Sequence, residues 1–304
     1  MQSQPATAHP ESHFFLTDDG IRLHYLLWPN PESASCCLLL HGFTNDAHIW
    51  DGLAAHLQQN HTVIALDLRG HGDSGRDPKE NYTHPRLVED VYALLQQILA
   101  PRIHIISHSL GARVAMMMLA QKEFSPASFT IIDTGPEVRA IGVNKIREDA
   151  YNVPDTFSSV DAFRDYLTAI YLFARPDRIR AMAEHGLQRN AEGQLVSKTD
   201  PAFTRALWKS GAREGEDQRL LYQLTDELWR SLERIKAPCL ILRGQASAIL
   251  AKEVAEKMKA VIPDARLQTI SRAGHALMVD NPDEFESVVR HFIESVSSHR
   301  TTGY

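Results

Sequence analysis

Between Pro101 and Ala115 the chain reads PRIHIISHSLGARVA, and few stretches restrict a fold so strongly. Ile103, Ile105 and Ile106 form a short buried strand, Ser107 to Gly111 (S-H-S-L-G) make a turn, and a helix opens with small residues. A serine at such a strand-to-helix hairpin sits on a nucleophile elbow, which strains its backbone and pushes its hydroxyl above the sheet edge. Strand and helix pass close together there, so the positions two before and two after the serine must be small. Gly111 meets that need, and Ser107 stands where glycine is usual. The same residues also read as a buried strand turning into a helix capped by Ser109. The turn alone leaves both readings open.

Composition narrows the setting. The 304 residues are 43% hydrophobic, ample for one large domain or one domain carrying an insertion. A formal net charge of −6 offers no basic face, so no nucleic-acid partner is expected. No apolar run is long enough to span a bilayer, and MQSQPATAHPES lacks the charged start and apolar stretch of a secretory signal. Residues 1–12 and 298–304 read as loose tails. Cys36, Cys37 and Cys239 lie in apolar runs without C-x-x-C spacing, as small core residues in a reducing cytoplasm would.

Two strand patterns, SHFFLT and IRLHYLLW, flank the turn Asp18-Asp19-Gly20. SCCLLL is a buried strand ending at His41-Gly42-Phe43, followed by a helix over 47–59. HTVIALDL runs into RGHGDSG; a helix over 85–99, the elbow strand and its helix to Gln121, and a strand over 129–133 follow. This alternation predicts a mostly parallel sheet with helices on both faces. From about Pro136 to Ile235 only helical patterns appear, over 143–151, 160–173, 177–187, 201–209 and 218–234. Then APCLILRG, a helix over 250–261, ARLQTI and a closing helix resume the rhythm. Asn281-Pro282-Asp283-Glu284 signs that last helix with a cap, a first-turn proline and a capping-box glutamate. The expected organisation is a core of 13–135 and 236–297, interrupted after the sixth strand by a helical insertion, 136–235.

RAGHALMVDNP places His275 in a loop before the closing helix, free to reach a serine on another strand as a general base. The segment from Gly244 to Leu250 contains no carboxylate, and Ser247 also reads as a cap for the next helix. Asp133, in FTIIDTGPE, closes a strand expected beside the elbow strand and is the preferred partner for His275; Glu137 and Asp280 are weaker alternatives. At the His41-Gly42-Phe43 corner the N–H of Phe43, with that of Leu110, gives two donors for a developing oxyanion, worth about 2.7–4 kcal/mol each. Gly70 to Gly75 match G-x-G-x-x-G, but a polar loop follows where a dinucleotide site needs a helix. Asp133-Thr134-Gly135 occurs once, and aspartic-protease chemistry needs two copies. His104 and His108 are more than about 10 Å apart on an extended strand, so no metal is expected.

With the elbow, the H-G corner, the D-L-R-G-H-G-D-S loop, the helical insertion and the late G-H in this order, the chain resembles the α/β-hydrolase superfamily from about Ser12 to Val296. The resemblance implies an α/β-hydrolase fold: a mainly parallel eight-stranded sheet, helices on both faces and a helical cap over the site. It implies a nucleophile, acid and histidine in that chain order, here Ser109, Asp133 and His275. It further implies hydrolysis of an ester, lactone, amide or activated C–C bond of a small molecule through an acyl-enzyme, with no cofactor. Ser109 sets aside the relatives with an aspartate nucleophile, epoxide hydrolases and haloalkane dehalogenases. An acid displaced from its usual strand is similar to a minority arrangement that includes (acetamidomethylene)succinate hydrolase. His41, His108, Arg139, Arg147, Trp208 and Met278 are the candidate substrate contacts. Tyr151, Phe157, Phe163, Tyr166, Tyr171 and Phe173 are candidate pocket walls, and Arg175 and Arg178 further candidates for pairing with a substrate carboxylate. A monomer or homodimer is expected. Lyases, cofactor-free oxygenases and slow-turnover receptors share this scaffold and remain alternatives.

Overall fold

A computed structural model of the chain describes residues 9–209 and 216–298; the outer parts of both expected tails lie outside the described residues. The elements run β1 (Glu11–Leu16), β2 (Arg22–Trp28), β3 (Ser35–Leu40), α1 (Asp51–Leu57), β4 (Thr62–Leu66), α2 (His84–Leu95), β5 (Arg102–His108), α3 (Ser109–Gln121) and β6 (Ser128–Ile132). The inserted stretch holds α4 (Ala140–Tyr151), α5 (Val160–Ile170), α6 (Pro176–His185), β7 (Leu187–Arg189), β8 (Leu195–Ser197), α7 (Pro201–Lys209) and α8 (Glu216–Arg234). The chain closes with β9 (Cys239–Gly244), α9 (Lys252–Val261), β10 (Ala265–Ile270), α10 (Leu277–Asp280) and α11 (Pro282–Ser298).

Eight strands form one sheet in the order β1-β2-β4-β3-β5-β6-β9-β10. Only the β1–β2 and β2–β4 pairings are antiparallel. β3 shows why the sheet is covered on both sides: its pleat sends Cys36, Leu38 and Leu40 into one core and Cys37 and Leu39 into the other. All three cysteines are free and buried. Among the described residues no helix is long and apolar enough to cross a membrane.

Three departures from the sequence reading have local causes. β1 begins at Glu11, inside the expected tail, because its full length pairs with β2, from Glu11 opposite Leu27 to Leu16 opposite Arg22. The inserted stretch is not wholly helical: β7 and β8 form a small antiparallel hairpin. Its turn is closed by Asn190, whose side chain accepts from the Gln194 N–H at 2.8 Å, and by Gly193 at φ +78°. Finally, α8 rejoins the sheet's own helical layer, with Leu228 and Leu232, one turn apart, buried in the core that includes Met117 and Val114 of α3.

Candidate active site

The elbow has the strain its sequence demands, with Ser109 at φ +50°. Close approach explains the glycines around it. A Cβ on Gly111 would fall 2.6 Å from the His41 carbonyl oxygen, and one on Gly42 would fall 2.6 Å from His108 Nδ1. The Gly111 N–H donates to the His41 carbonyl at 3.1 Å, tying the start of α3 to the corner after β3. Phe43 follows directly in a turn closed by Asn45 N–H and the Gly42 carbonyl. Leu110 lies in the first turn of α3, where an N–H has no acceptor within its own helix.

His275, just before α10, reaches the elbow from the other side. Its Nε2 accepts from the Ser109 hydroxyl at 3.0 Å, and its Nδ1–H donates to Asp133 Oδ2 at 2.8 Å. Asp133 stands at the carboxyl end of β6, beside β5, with φ +48° and no exposed surface. A buried carboxylate needs donors, and two more reach it from the end of β9: the Gly244 N–H at 2.9 Å and the Ser247 hydroxyl at 2.7 Å. Ser247 also accepts from the Ile249 and Leu250 N–H groups, so it caps a turn and supports the acid at once.

The loop carrying His275 is held at both edges. Asp280 Oδ2 accepts the Gly274 N–H at 2.7 Å, and His108 Nε2–H donates to the His275 carbonyl at 2.9 Å. Burial pushes the Asp280 carboxyl up to about 6, against the pull of the Gly274 N–H and of His275. Burial first, and the neighbouring His275 second, hold His108 well below the usual imidazole range. His108 is therefore neutral, and its Nδ1 is buried without a hydrogen-bond partner.

A cavity of about 930 Å³ opens above Ser109 and His275. The sheet domain contributes Phe43, Asn45, Arg76 and His108, and the inserted stretch contributes Tyr151, Phe163, Tyr166, Tyr171 and Phe173. The Asn45 side-chain amide donates to the Tyr171 hydroxyl at 2.9 Å, linking the corner after β3 to the inserted helices. Phe157 lines a separate depression between α5 and the hairpin.

Several expected substrate contacts are placed elsewhere. His41 is buried with both ring nitrogens engaged: Nε2 accepts from Leu68 N–H at 3.0 Å and Nδ1–H donates to the Gly42 carbonyl at 2.7 Å. Met278 packs into the core with Leu277 and Val279. The row of α4 facing the cavity is Gly142, Lys145, Ile146, Asp149 and Ala150, and Arg147 falls off that row. Arg139 precedes α4 and is exposed outside the cavity. Arg175 pairs with Asp177 and Asp283, and Arg178 with Glu286. The side chain of Trp208 lies outside the described residues. Glu137 accepts from Trp229 and Lys257 at the surface. Sequence reasoning missed the α4 face, readable from its 3–4 residue spacing, and Asn45, two residues past Phe43.

The description of an alpha/beta hydrolase family matches residues 37–288 of the chain. The 2-(acetamidomethylene)succinate hydrolase of Mesorhizobium japonicum is 25% identical over 86% of this chain and 89% of its own. The crystal structure of E-2-(acetamidomethylene)succinate hydrolase superposes with a TM-score of 0.80 at 24% identity, covering 94% of this chain and 100% of the other. An alpha/beta hydrolase from Novosphingobium aromaticivorans gives 0.76 at 26% identity, covering 94% and 99%. With an eight-stranded, mostly parallel sheet clad by helices on both faces and a family match over most of its length, the chain belongs to the alpha/beta hydrolase family of enzymes.

Proposed function

We propose that the protein is a serine hydrolase that cleaves an ester, lactone, amide or activated C–C bond of a small molecule through an acyl-enzyme. One observation carries this reading: the unbroken relay from the Ser109 hydroxyl through both nitrogens of His275 to buried Asp133, at 3.0 and 2.8 Å. His275 takes the Ser109 proton as the oxygen attacks the substrate carbonyl, then gives that proton to the leaving group. Water, deprotonated by His275, attacks the acyl carbonyl, and the imidazolium returns that proton to the Ser109 oxygen as the acyl–oxygen bond breaks. Asp133 fixes the imidazole tautomer and stabilises the imidazolium. The N–H groups of Phe43 and Leu110 receive the oxyanion in each half-reaction. The helices α4 to α7, inserted between β6 and β9, serve as a cap that excludes bulk water.

The cavity is at the upper end of the roughly 300–1,000 Å³ typical of small-molecule sites, which favours a substrate with an apolar part besides the scissile group. Of the cations at its wall, Lys145 pairs with Asp149 and Arg205 with Glu80, while Arg76 has no carboxylate partner among the described residues. Together with relatives named for a succinate derivative, this supports a carboxylate on the substrate. The free, buried cysteines support a reducing, cytoplasmic setting.

A fluorophosphonate probe tests the assignment. Labelling mapped to Ser109, lost in Ser109→Ala together with turnover of chromogenic esters, supports it. Turnover retained by Ser109→Ala ends it.

A further inference from the structure

Away from the cavity, α6 is fastened to the sheet domain at both of its ends. At its first turn Arg178 donates to Glu286 at 2.9 Å, and the same carboxylate receives His56 at 3.2 Å. At its last turn His185 lies over His48, with ring centroids 3.5 Å apart and planes 11° from parallel. His48 belongs to the single 3-10 turn Ala47–Trp50 that leads into α1, and its Nδ1–H donates to Asp51 Oδ2 at 3.1 Å. One ligating atom from each of His48, Asp51 and His185 lies within 4.8 Å of the other two, and all three residues are half-buried.

We propose that His48, Asp51 and His185 bind a divalent transition-metal ion, zinc foremost, that clasps the inserted helices to the sheet domain. Two imidazoles and one carboxylate are ligands that zinc favours, with water completing a tetrahedron. His48 Nδ1 and Asp51 Oδ2, 3.1 Å apart, already stand at about the spacing of two ligands on one ion. Binding requires one change of posture. In the face-to-face stack, with centroids 3.5 Å apart, the in-plane lone pairs run side by side, so the His185 ring must swing out of the stack about its Cα–Cβ bond before both nitrogens can point at one ion. The proton on His48 Nδ1 leaves to solvent as the ion takes its place between imidazole and carboxylate. The nearby Lys198 is already paired with Asp73 at 2.8 Å, so its charge is neutralised away from the site. The site is separate from Ser109 and His275, so its role is structural.

The test uses the full chain stripped of metal with a chelator, then titrated with Zn²⁺ by calorimetry and followed by thermal unfolding. Saturable binding of one ion with a rise in Tm is expected. His48→Gln and His185→Gln should each weaken binding by more than the roughly 10–100-fold that loss of a merely supporting residue costs. Cobalt supplies a readout on the wild-type chain alone, since its visible absorption reports tetrahedral nitrogen and oxygen ligation. No saturable binding by the wild type, or binding that survives in both variants, overturns the proposal.

Discussion

Ser247 gives its hydroxyl hydrogen to Asp133 at 2.7 Å across the carboxyl ends of two neighbouring strands, β9 and β6. The end of β9 thus supplies a donor to an acid that stands on β6. Moving the carboxylate back tests this division of labour. Asp133→Asn is expected to lower kcat by about 10³–10⁴-fold, as in other triads where the tautomer is lost. Adding Ser247→Asp to that variant should raise kcat again, whereas Ser247→Asp alone should lower it by setting two carboxylates against each other. No recovery in the double variant would locate the acid's function in the β6 backbone as much as in its charge. Ser247→Ala, measured by urea unfolding, should cost about 1–3 kcal/mol for the donor taken from a buried carboxylate.

Glu137 supplies the contrast. Its carboxylate is engaged at the surface by Trp229 and Lys257, so Glu137→Gln should keep wild-type kcat within experimental error. Steady-state kinetics beside Asp133→Asn checks it, and inactivation by the glutamine alone would move the acid.

Gly42 has no room for a methyl group, which would meet His108 Nδ1 at 2.6 Å and the Ser109 Cβ at 3.1 Å. Gly42→Ala is expected to destabilise by about 1–3 kcal/mol through overpacking and to lower kcat more than it changes KM, because Phe43 N–H moves with its neighbour. Denaturant titration and kinetics on the same preparation separate the two effects.

Asp280 introduces a pH dependence of known sign. Its carboxyl is raised from 3.8 to about 6 by burial, so between those values the native state holds a proton that the unfolded chain has released. Stability from this residue is fully present below about pH 4 and is lost as pH rises towards 6. Asp280→Asn still accepts the Gly274 N–H but does not titrate. The difference in unfolding free energy, wild type minus variant, should therefore fall by on the order of 2 kcal/mol from pH 4 to pH 6. A flat difference would show that burial leaves the Asp280 carboxyl where it titrates in the unfolded chain.

What the sequence made legible was whatever sterics or local order dictate. The elbow could be read because only small residues fit at 107 and 111, and the parallel sheet because its strands are apolar on both faces. The hairpin β7–β8 escaped notice because three-residue strands with Gln188 and Ser197 carry no alternation, although Asn190 and Gly193 mark its turn. The substrate contacts were harder, since the direction of a side chain on α4 depends on how the helix is rolled against its neighbours. Arg147 and Lys145 are two residues apart and face differently. His41 looked like a ligand contact because its sequence position beside Gly42 does not reveal that the loop after β4 closes over it. Ser247 reads from the sequence as a cap in a segment without a carboxylate, and its hydroxyl serves the cap and the acid together.

The insertion also divides the three groups of the proposed mechanism unevenly along the polypeptide. Ser109 and Asp133 are both encoded before it, and only His275 comes after. A protein split anywhere between Asp133 and β9 would yield one fragment with hydroxyl and carboxylate, and another with the imidazole alone. On the proposed mechanism neither piece turns over substrate by itself, so regained catalysis on mixing would report directly on reassembly of the two halves.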